Sequence, residues 1–225
     1  MKLALIPARG GSKRLPRKNI ADFLGKPIIA HTIAAAQNCG IFDHVVVSSD
    51  DDEIIDVAAK FGAEIIARPK DLGSDSARVT DVCLHAMQFF DDRSEAVTEL
   101  CCLYATAPLR TGDDIAAVHG LLGVEGCGFA MAVSTYPLPP HQALRATPAG
   151  TLEPMWPDLV SKRESDLPTL LVDNGSTYSV NATAFKEHRT FYGPGLRGHV
   201  MPQSRSIDIN TREDLVVATA VASSR

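Results

Sequence analysis

The chain opens with residues 1–19, MKLALIPARGGSKRLPRKN, and the interpretation of the whole sequence starts from this stretch. Its apolar run, Leu3 to Ile6, predicts a buried strand at the start of the chain. A short loop with paired glycines, Gly10 and Gly11, follows the strand. Since glycine adopts backbone angles that other residues avoid, we expect these residues to turn their amides toward one anion. A strand followed by such a loop is typical of a site that binds a polyphosphate.

The loop also carries a dense cluster of positive charge. Five basic residues fall within ten positions, and no acid precedes Asp22: Arg9, Lys13, Arg14, Arg17 and Lys18. The chain as a whole has a formal charge of −5, so the cluster runs against the background. Arginine and lysine neutralise phosphate oxygens, although the loop matches neither the Walker pattern nor G-x-G-x-x-G. One alternative is a solvated basic loop without a ligand. Another is a nucleic-acid-binding patch, which the net negative charge of the rest of the chain disfavours.

Length and composition limit the classes of protein to which the chain can belong. With 225 residues, of which 45% are hydrophobic and 22% charged, the sequence predicts one soluble domain over residues 1–225. No apolar run reaches the roughly 20 residues of a membrane span, and the N-terminus lacks a signal-peptide pattern. Five cysteines without metal-type C-x-x-C spacing indicate a reducing compartment, so we expect a cytoplasmic protein.

Strand-like and helix-like segments alternate along most of the chain. We predict strands at residues 3–6, 44–50, 63–67, 100–104, 129–134 and 177–181. We predict helices at residues 26–39, 51–61, 112–122, in the segment that ends near residue 90, and after Thr211. This rhythm indicates an α/β fold with a mostly parallel sheet flanked by helices. Ligands of such sheets bind beyond the carboxyl ends of the strands, which brings together residues 9–12, 48–50, 68 and 105–110.

The rhythm breaks at Tyr136, where a proline-dense turn begins. Proline is excluded from helix interiors and central strands, so we interpret residues 136–176 as an inserted arm. An arm without its own core packs on another surface, and we therefore predict a homodimer.

Asp208 and Asn210 lie two residues apart on an extended segment before the last helix, so their side chains point the same way. Oxygen ligands of this kind suit Mg²⁺, or Mn²⁺, held together with substrate phosphates. The alternative is a pair of polar residues in a helix-entry loop.

The opening stretch, I-P-A-R-x-x-S-K-x-x-x-x-K-N, resembles the N-terminal signature of the acylneuraminate (nonulosonic acid) cytidylyltransferases. The resemblance covers nearly the whole chain and implies a nucleotidyltransferase-like (Rossmann-like) fold with a dimerisation arm. It implies an enzyme that joins CTP to a nine-carbon 2-keto sugar acid, giving a CMP-sugar and pyrophosphate. An enzyme of the same fold acting on 3-deoxy-manno-octulosonate or another sugar, and a non-catalytic nucleotide-binding homologue, remain alternatives.

The resemblance also assigns roles. It implies catalytic roles for Arg9, Lys18 and Asp208, and metal binding by Asp208 and Asn210, although the family has a second acid where Asn210 stands. For the nucleotide it implies contacts from Ala8, Arg9, Gly10, Gly11, Ser12, Lys13, Asn19, Arg68 and Ala77. For the sugar it implies contacts from Tyr104, Arg163, Asn174 and Tyr178.

The predicted sugar contacts indicate which branch of the family the chain resembles most. Tyr104 and the segments around Arg163 and Tyr178 are most similar to the pseudaminic acid branch of the family. His141-Gln142 stands where that branch has a Gln-Arg pair.

Overall fold

The computed structural model describes residues 1–74 and 76–224. Within these residues the α-helices are α1 (Ile28–Cys39), α2 (Asp52–Lys60), α3 (Val79–Asp91), α4 (Gly112–Gly120), α5 (Ala182–His188) and α6 (Arg212–Ser223). The strands are β1 (Lys2–Pro7), β2 (Asp22–Phe23), β3 (Lys26–Pro27), β4 (His44–Ser49), β5 (Glu64–Ala67), β6 (Glu99–Leu103), β7 (Phe129–Thr135), β8 (Leu144–Ala146), β9 (Leu152–Pro154), β10 (Leu171–Asn181) and β11 (Arg197–Val200).

A central sheet organises the described residues. Its seven strands run in the order β11-β7-β10-β6-β1-β4-β5. Strand β1 pairs in parallel with β4 and β6, and β4 pairs in parallel with β5. Only β10, among the strands of this sheet, runs antiparallel to both neighbours. The predicted mostly parallel α/β sheet is therefore confirmed.

Helices cover both faces of the sheet because the residues of β1 alternate in direction. Leu3 and Leu5 pack in a core cluster with Met87 of α3 and Phe185 of α5. Their neighbours Ala4 and Ile6 pack in a second cluster with α1 and α2. Such burial on both faces explains why the strand reads as an unbroken apolar run.

Side-chain caps set the start of several helices. Thr111 caps α4 and Thr211 caps α6, each in a reciprocal capping box with the aspartate three residues on. Asp51 caps α2 by accepting a hydrogen bond from the amide of Ile54. The last helix therefore begins next to Asp208 and Asn210, as the sequence predicted.

The excursion from the central sheet is shorter than predicted. The chain leaves the sheet after β7, forms the β8–β9 hairpin, and re-enters at Leu171 as the start of β10. Residues 171–176 thus belong to the sheet, where the β7–β10 register shifts between Asp173 and Tyr178. Strand β11 was not predicted, because its sequence, RGHV, has too few apolar residues to stand out.

No helix in the described part of the chain is both long and apolar enough to cross a bilayer.

Candidate active site

A cavity of about 520 Å³ opens at the carboxyl ends of the parallel strands. Residues that follow β1, β5 and β6 line it, including Arg9, Arg68 and Tyr104. This is the edge at which ligands of open α/β sheets bind, and the volume suits a small-molecule ligand. The sequence therefore located the cavity correctly.

The cavity has a basic wall. Lys13, Arg14 and Lys18 line it together with Arg9 and Arg68. Arg17, the fifth basic residue of the loop, instead forms ion pairs with Asp51 and Glu53. Its backbone is left-handed, with a φ of 56°, and this turns its side chain toward α2. Four of the five basic side chains of the loop therefore line the cavity, and the fifth, Arg17, attaches the loop to the start of α2.

The paired glycines act differently from the prediction. Neither Gly10 nor Gly11 has a positive φ, so the expected special backbone angles are absent at both positions. The amide of Gly10 donates to Asp50, with 3.3 Å between N and Oδ1. A Cβ at Gly10 would lie 2.4 Å from Oδ2 of Asp51, whereas one at Gly11 would meet nothing within 4 Å. Gly10 is needed for this close approach, and its amide donates to the carboxylate of Asp50.

The buried residues of the loop hold its shape. Ala8 is fully buried, and its amide donates to the carbonyl of Ser48 at 3.0 Å. Asn19 is also buried, and its side-chain amide donates to the carbonyl oxygen of Arg9 at 2.9 Å. Asn19 lines the cavity as well, so it both braces the loop and faces the predicted nucleotide position.

Arg68 is buried at the end of β5. Its guanidinium donates to the backbone oxygen of Ser48 at 2.6 Å and to that of Leu72 at 3.3 Å. Burial lowers the pKa of Arg68 from its ordinary value, while nearby Asp50 opposes the shift. Ala77, in the same motif, lines the cavity; Asp75 lies outside the described residues.

At the centre of the site, Asp208 and Asn210 meet the basic loop. Oδ1 of Asp208 accepts a hydrogen bond of 2.5 Å from the hydroxyl of Thr106. Its Oδ2 accepts from the amide of Asn210 at 2.6 Å. The side-chain oxygen of Asn210 accepts from Lys18 at 2.9 Å and from Arg14 at 2.8 Å. Asn210 therefore connects the carboxylate to two cations, and its only carbonyl oxygen is already engaged.

Burial lowers the pKa of Lys18, and the charge of Asp208 partly opposes this shift. The cations Arg14 and Arg9 lower it further. An anionic ligand beside Lys18 would favour the charged form of the lysine and so raise its pKa again.

The residues predicted for the sugar lie beside this centre. The rings of Tyr104 and Tyr178 are 5.4 Å apart, and Tyr104 lines the cavity. Gly175 lies against Asp208, since a Cβ built on it would be 3.4 Å from Oδ2. Asn174 is buried, and its amide donates to the hydroxyl of Ser206 at 3.1 Å. Burial raises the pKa of both Tyr104 and Tyr178, so both phenols stay protonated.

Two arginines lie elsewhere than the sequence suggested. Arg163, predicted to bind the sugar, is 88% exposed and contacts Asp166 at 3.4 Å. Arg110, which we grouped with the ligand-facing residues, is fully buried and donates to Ser176 and Thr32. Its burial lowers its pKa to about 10. Arg110 joins the β6 loop to α1 and β10, and therefore has a structural role.

Asp173 and Tyr192 escaped the sequence analysis. The hydroxyls of Tyr178 and Tyr192 both donate hydrogen bonds to the carboxylate of Asp173, so the three side chains lie together. The Asp173 position is contiguous with the quoted motif around Asn174, which was the available signal. Nothing in the sequence near Tyr192 pointed to it.

The mostly parallel α/β sheet with a cavity at its strand ends has the architecture of the nucleotidyltransferase-like fold. A solved structure of CMP:2-keto-3-deoxy-manno-octonic acid synthetase complexed with CTP shares this fold, with a TM-score of 0.73. It is 18% identical, and the alignment covers 99% of this chain and 98% of that one.

The sequence comparisons give the family. The cytidylyltransferase family model matches residues 3–119. A pseudaminic acid cytidylyltransferase from Campylobacter jejuni is 38% identical over 217 residues, which are 96% of this chain and 94% of that protein. The CMP-N,N'-diacetyllegionaminic acid synthase of Legionella pneumophila is 33% identical over 94% of this chain and 92% of its own length. The chain belongs to the cytidylyltransferase family and is a nucleotidyltransferase enzyme.

Proposed function

We propose that the chain transfers CMP from CTP to a nonulosonic acid, with pseudaminic acid as the preferred acceptor. The observation that carries the proposal is the basic cavity at the strand ends, in a chain that matches pseudaminic acid cytidylyltransferases over almost its full length. The acceptor's anomeric hydroxyl attacks the α-phosphorus of CTP and forms a new O–P bond. The bond from the α-phosphorus to the oxygen that bridges to the β-phosphorus breaks, pyrophosphate leaves, and the hydroxyl proton passes to solvent.

Charge neutralisation and positioning supply the catalysis. Arg9, Lys13 and Lys18 lie on one wall and are the groups that would neutralise the triphosphate. Arg68 faces the same space, and the buried Asn19 holds the Arg9 segment in place. Because Lys18 and Arg68 are held by hydrogen bonds before the ligand arrives, little reorganisation is needed when charge develops at phosphorus.

A divalent cation, Mg²⁺ or Mn²⁺, completes the proposal. Among the described residues, no group of three or more His, Cys, Asp and Glu side chains could hold a metal by itself. A single carboxylate still fits Mg²⁺, which commonly takes one or two carboxylates plus substrate phosphates. Asp208 is the residue that would hold the ion; the oxygen of Asn210 would first have to leave Lys18 and Arg14. When bound, the ion would neutralise phosphate charge beside these residues.

The acceptor would occupy the side of Asp208 formed by Tyr104, Tyr178 and Gly175. The aromatic pair offers an apolar wall for the acceptor's carbon skeleton. A second candidate acceptor is legionaminic acid, which the 33% identity to the Legionella enzyme supports. An octulosonic acid is a third, supported only by a shared fold.

Pyrophosphate release tests the proposal. We expect the protein to release pyrophosphate from CTP with Mg²⁺ and pseudaminic acid, and less efficiently with legionaminic, N-acetylneuraminic or 3-deoxy-manno-octulosonic acid. A higher kcat/KM with another acceptor would reassign the sugar. Binding of CTP without turnover with any acceptor would favour a non-catalytic nucleotide-binding protein.

We also propose that the enzyme works as a cytoplasmic homodimer. The excursion after β7 carries exposed apolar side chains with no cover in the single chain: Leu138, Leu144, Leu152, Met155 and Trp156. Large exposed apolar patches mark interaction surfaces. Sedimentation at micromolar concentration should give a dimer, and Leu152→Glu should yield a monomer. A wild-type monomer would contradict this. Five free cysteines support a reducing compartment.

A further inference from the structure

Two loops that line the cavity are built around the end of a single strand, β4. One is the basic loop that follows β1, and the other is the Arg68 loop, residues 68–74, which follows β5. Arg9 of the first loop and Leu72 and Ser74 of the second line the cavity. In the sheet β4 lies between β1 and β5 and pairs in parallel with both. The carboxyl end of β4 is therefore next to the start of each loop.

The backbone oxygen of Ser48, near the end of β4, is the first anchor that the two loops share. It accepts a hydrogen bond of 3.0 Å from the amide of Ala8, where the basic loop begins. It also accepts one of 2.6 Å from the guanidinium of Arg68. A carbonyl oxygen has two lone pairs, so these two donors use its capacity and fix the first residues of both loops.

Asp50, which directly follows β4, contacts both loops two residues further on. Its Oδ1 accepts a hydrogen bond from the amide of Gly10, with 3.3 Å between N and Oδ1. On the other side, a Cβ built on Gly73 would lie 2.4 Å from Oδ2, 2.7 Å from Cγ and 2.9 Å from Cβ of Asp50. The φ of Gly73 is not positive, so the glycine is required by this close contact and not by its backbone angles.

The Asp50 side chain is exposed and adds nothing to the hydrophobic core. Among the described residues, those that line the cavity do not include Asp50. Beyond it the two loops approach each other directly, with 3.5 Å between Nη1 of Arg9 and the backbone oxygen of Ser74. The distance between the loops at the cavity therefore depends on the anchors at Ser48 and Asp50.

We infer that Asp50 is a positioning residue for nucleotide binding: it holds Gly10 and Gly73 against one carboxylate, so that both loops are in place before CTP binds. This inference rests on the proposed function, in which CTP occupies the cavity. Because a preformed site spends less of its binding energy on ordering loops, loss of the anchor weakens CTP binding although no group that lines the cavity is removed.

Two substitutions of Asp50 separate its position from its charge. Asp50→Ala removes the acceptor and should weaken CTP binding by roughly tenfold, the loss expected for one hydrogen bond to a charged group. Asp50→Asn removes the charge but keeps a side-chain oxygen for the Gly10 amide, so its affinity should stay within about threefold of wild type. Asp56→Ala, at an exposed position of α2, is the control for loss of an acidic charge.

A double-mutant cycle tests the contact with the second loop. Gly73→Ala places a methyl group against the Asp50 carboxylate and should weaken CTP binding by roughly tenfold. In the Asp50→Ala background the same change should cost less than about twofold, because the group that it meets is gone. Gly123→Ala is the control, since a Cβ there would meet nothing within 4 Å.

The readout is the dissociation constant of CTP, measured by calorimetry with Mg²⁺ and without a sugar acceptor so that no turnover occurs. Thermal melts monitored by circular dichroism check that each variant is folded. If Asp50→Ala does not fold, the comparison of Gly73→Ala with Gly123→Ala and with Asp50→Asn in the Gly73→Ala background replaces the cycle; Asn keeps the clash, so the Gly73→Ala loss should persist there.

Three results would overturn the inference. The first is wild-type affinity for CTP in Asp50→Ala, and the second is equal weakening by Asp50→Ala and Asp50→Asn, which would assign the effect to charge. The third is a Gly73→Ala loss of the same size with and without the Asp50 side chain. Failure of the proposed function looks different: CTP would bind with the expected pattern among the variants, yet no acceptor would release pyrophosphate.

Discussion

The ammonium of Lys18 donates a hydrogen bond of 2.9 Å to the side-chain oxygen of Asn210, 192 residues further along the chain. The amide nitrogen of Asn210 in turn donates to Asp208. One neutral side chain therefore holds the basic loop against the central carboxylate. Because Asn210 is neutral, it adds no charge of its own to the interaction between Lys18 and Asp208.

Asn210→Asp should lower the Mg²⁺ concentration needed for half-maximal activity. The substitution places a second carboxylate beside Asp208, and added ligand charge strengthens binding of hard cations. A titration of pyrophosphate release against Mg²⁺ measures the effect. Asn210→Ala is the matched control, since it removes the contact with Lys18 without adding charge. An identical titration for Asn210→Asp and wild type would mean that this position does not face the metal.

Lys18→Ala should lower kcat/KM by roughly 10²–10³-fold, which is the usual effect of removing one donor to developing charge. The fold should survive, since Lys18 lies in a short 3₁₀ helix at the cavity mouth rather than in the core. Steady-state kinetics with CTP varied measure the loss. Lys60→Ala, at the exposed end of α2, is the control for removing a positive charge. Turnover close to wild type in Lys18→Ala would reject the role of this residue.

The alkaline limb of the pH profile should report Lys18. Its lowered pKa means that the ammonium, which the phosphate contact needs, is lost at a lower pH than for an ordinary lysine. We therefore expect kcat/KM to fall as the pH rises through this lowered pKa. In Lys18→Arg the fall should move to higher pH, because a guanidinium keeps its proton. Profiles normalised to each plateau make the comparison, and superimposed limbs would exclude Lys18 as the titrating group.

Gly10→Ala should raise the KM for CTP by roughly tenfold, whereas Gly11→Ala should leave it unchanged. The added methyl group at Gly10 would lie 2.4 Å from Oδ2 of Asp51. That carboxylate cannot yield easily, because it also caps α2 and pairs with Arg17. A displacement worth about 1.4 kcal/mol corresponds to the tenfold change. Equal KM values in the two variants would show that the loop tolerates the extra atom.

The sequence predicted the fold well where local pattern and global structure agree. The buried run of β1 and the capped start of α6 are both specified by neighbouring residues, so both were predicted nearly to the residue. The short polar strand β11 depends on pairing with β7, which no local pattern reveals. The early part of β10 was hidden for the same reason, since its register breaks near Asp173.

The site was predicted in part, for related reasons. Charge and strand-end position were enough to bring Arg9, Lys18 and Arg68 to one cavity. The same two signals could not distinguish Arg17, which pairs with α2, or Arg110, which is buried for structure. Tyr192 contacts the site through one long-range hydrogen bond to Asp173, and no local sequence pattern predicts such a contact.

The most direct test of the proposed function is pyrophosphate release by the purified protein with CTP, Mg²⁺ and pseudaminic acid, with UTP, GTP and ATP in parallel. The account predicts stoichiometric pyrophosphate and CMP-sugar with CTP, and little release with the other nucleotides. No release from CTP with any nonulosonic acid, or equal release from all four nucleotides, would contradict it.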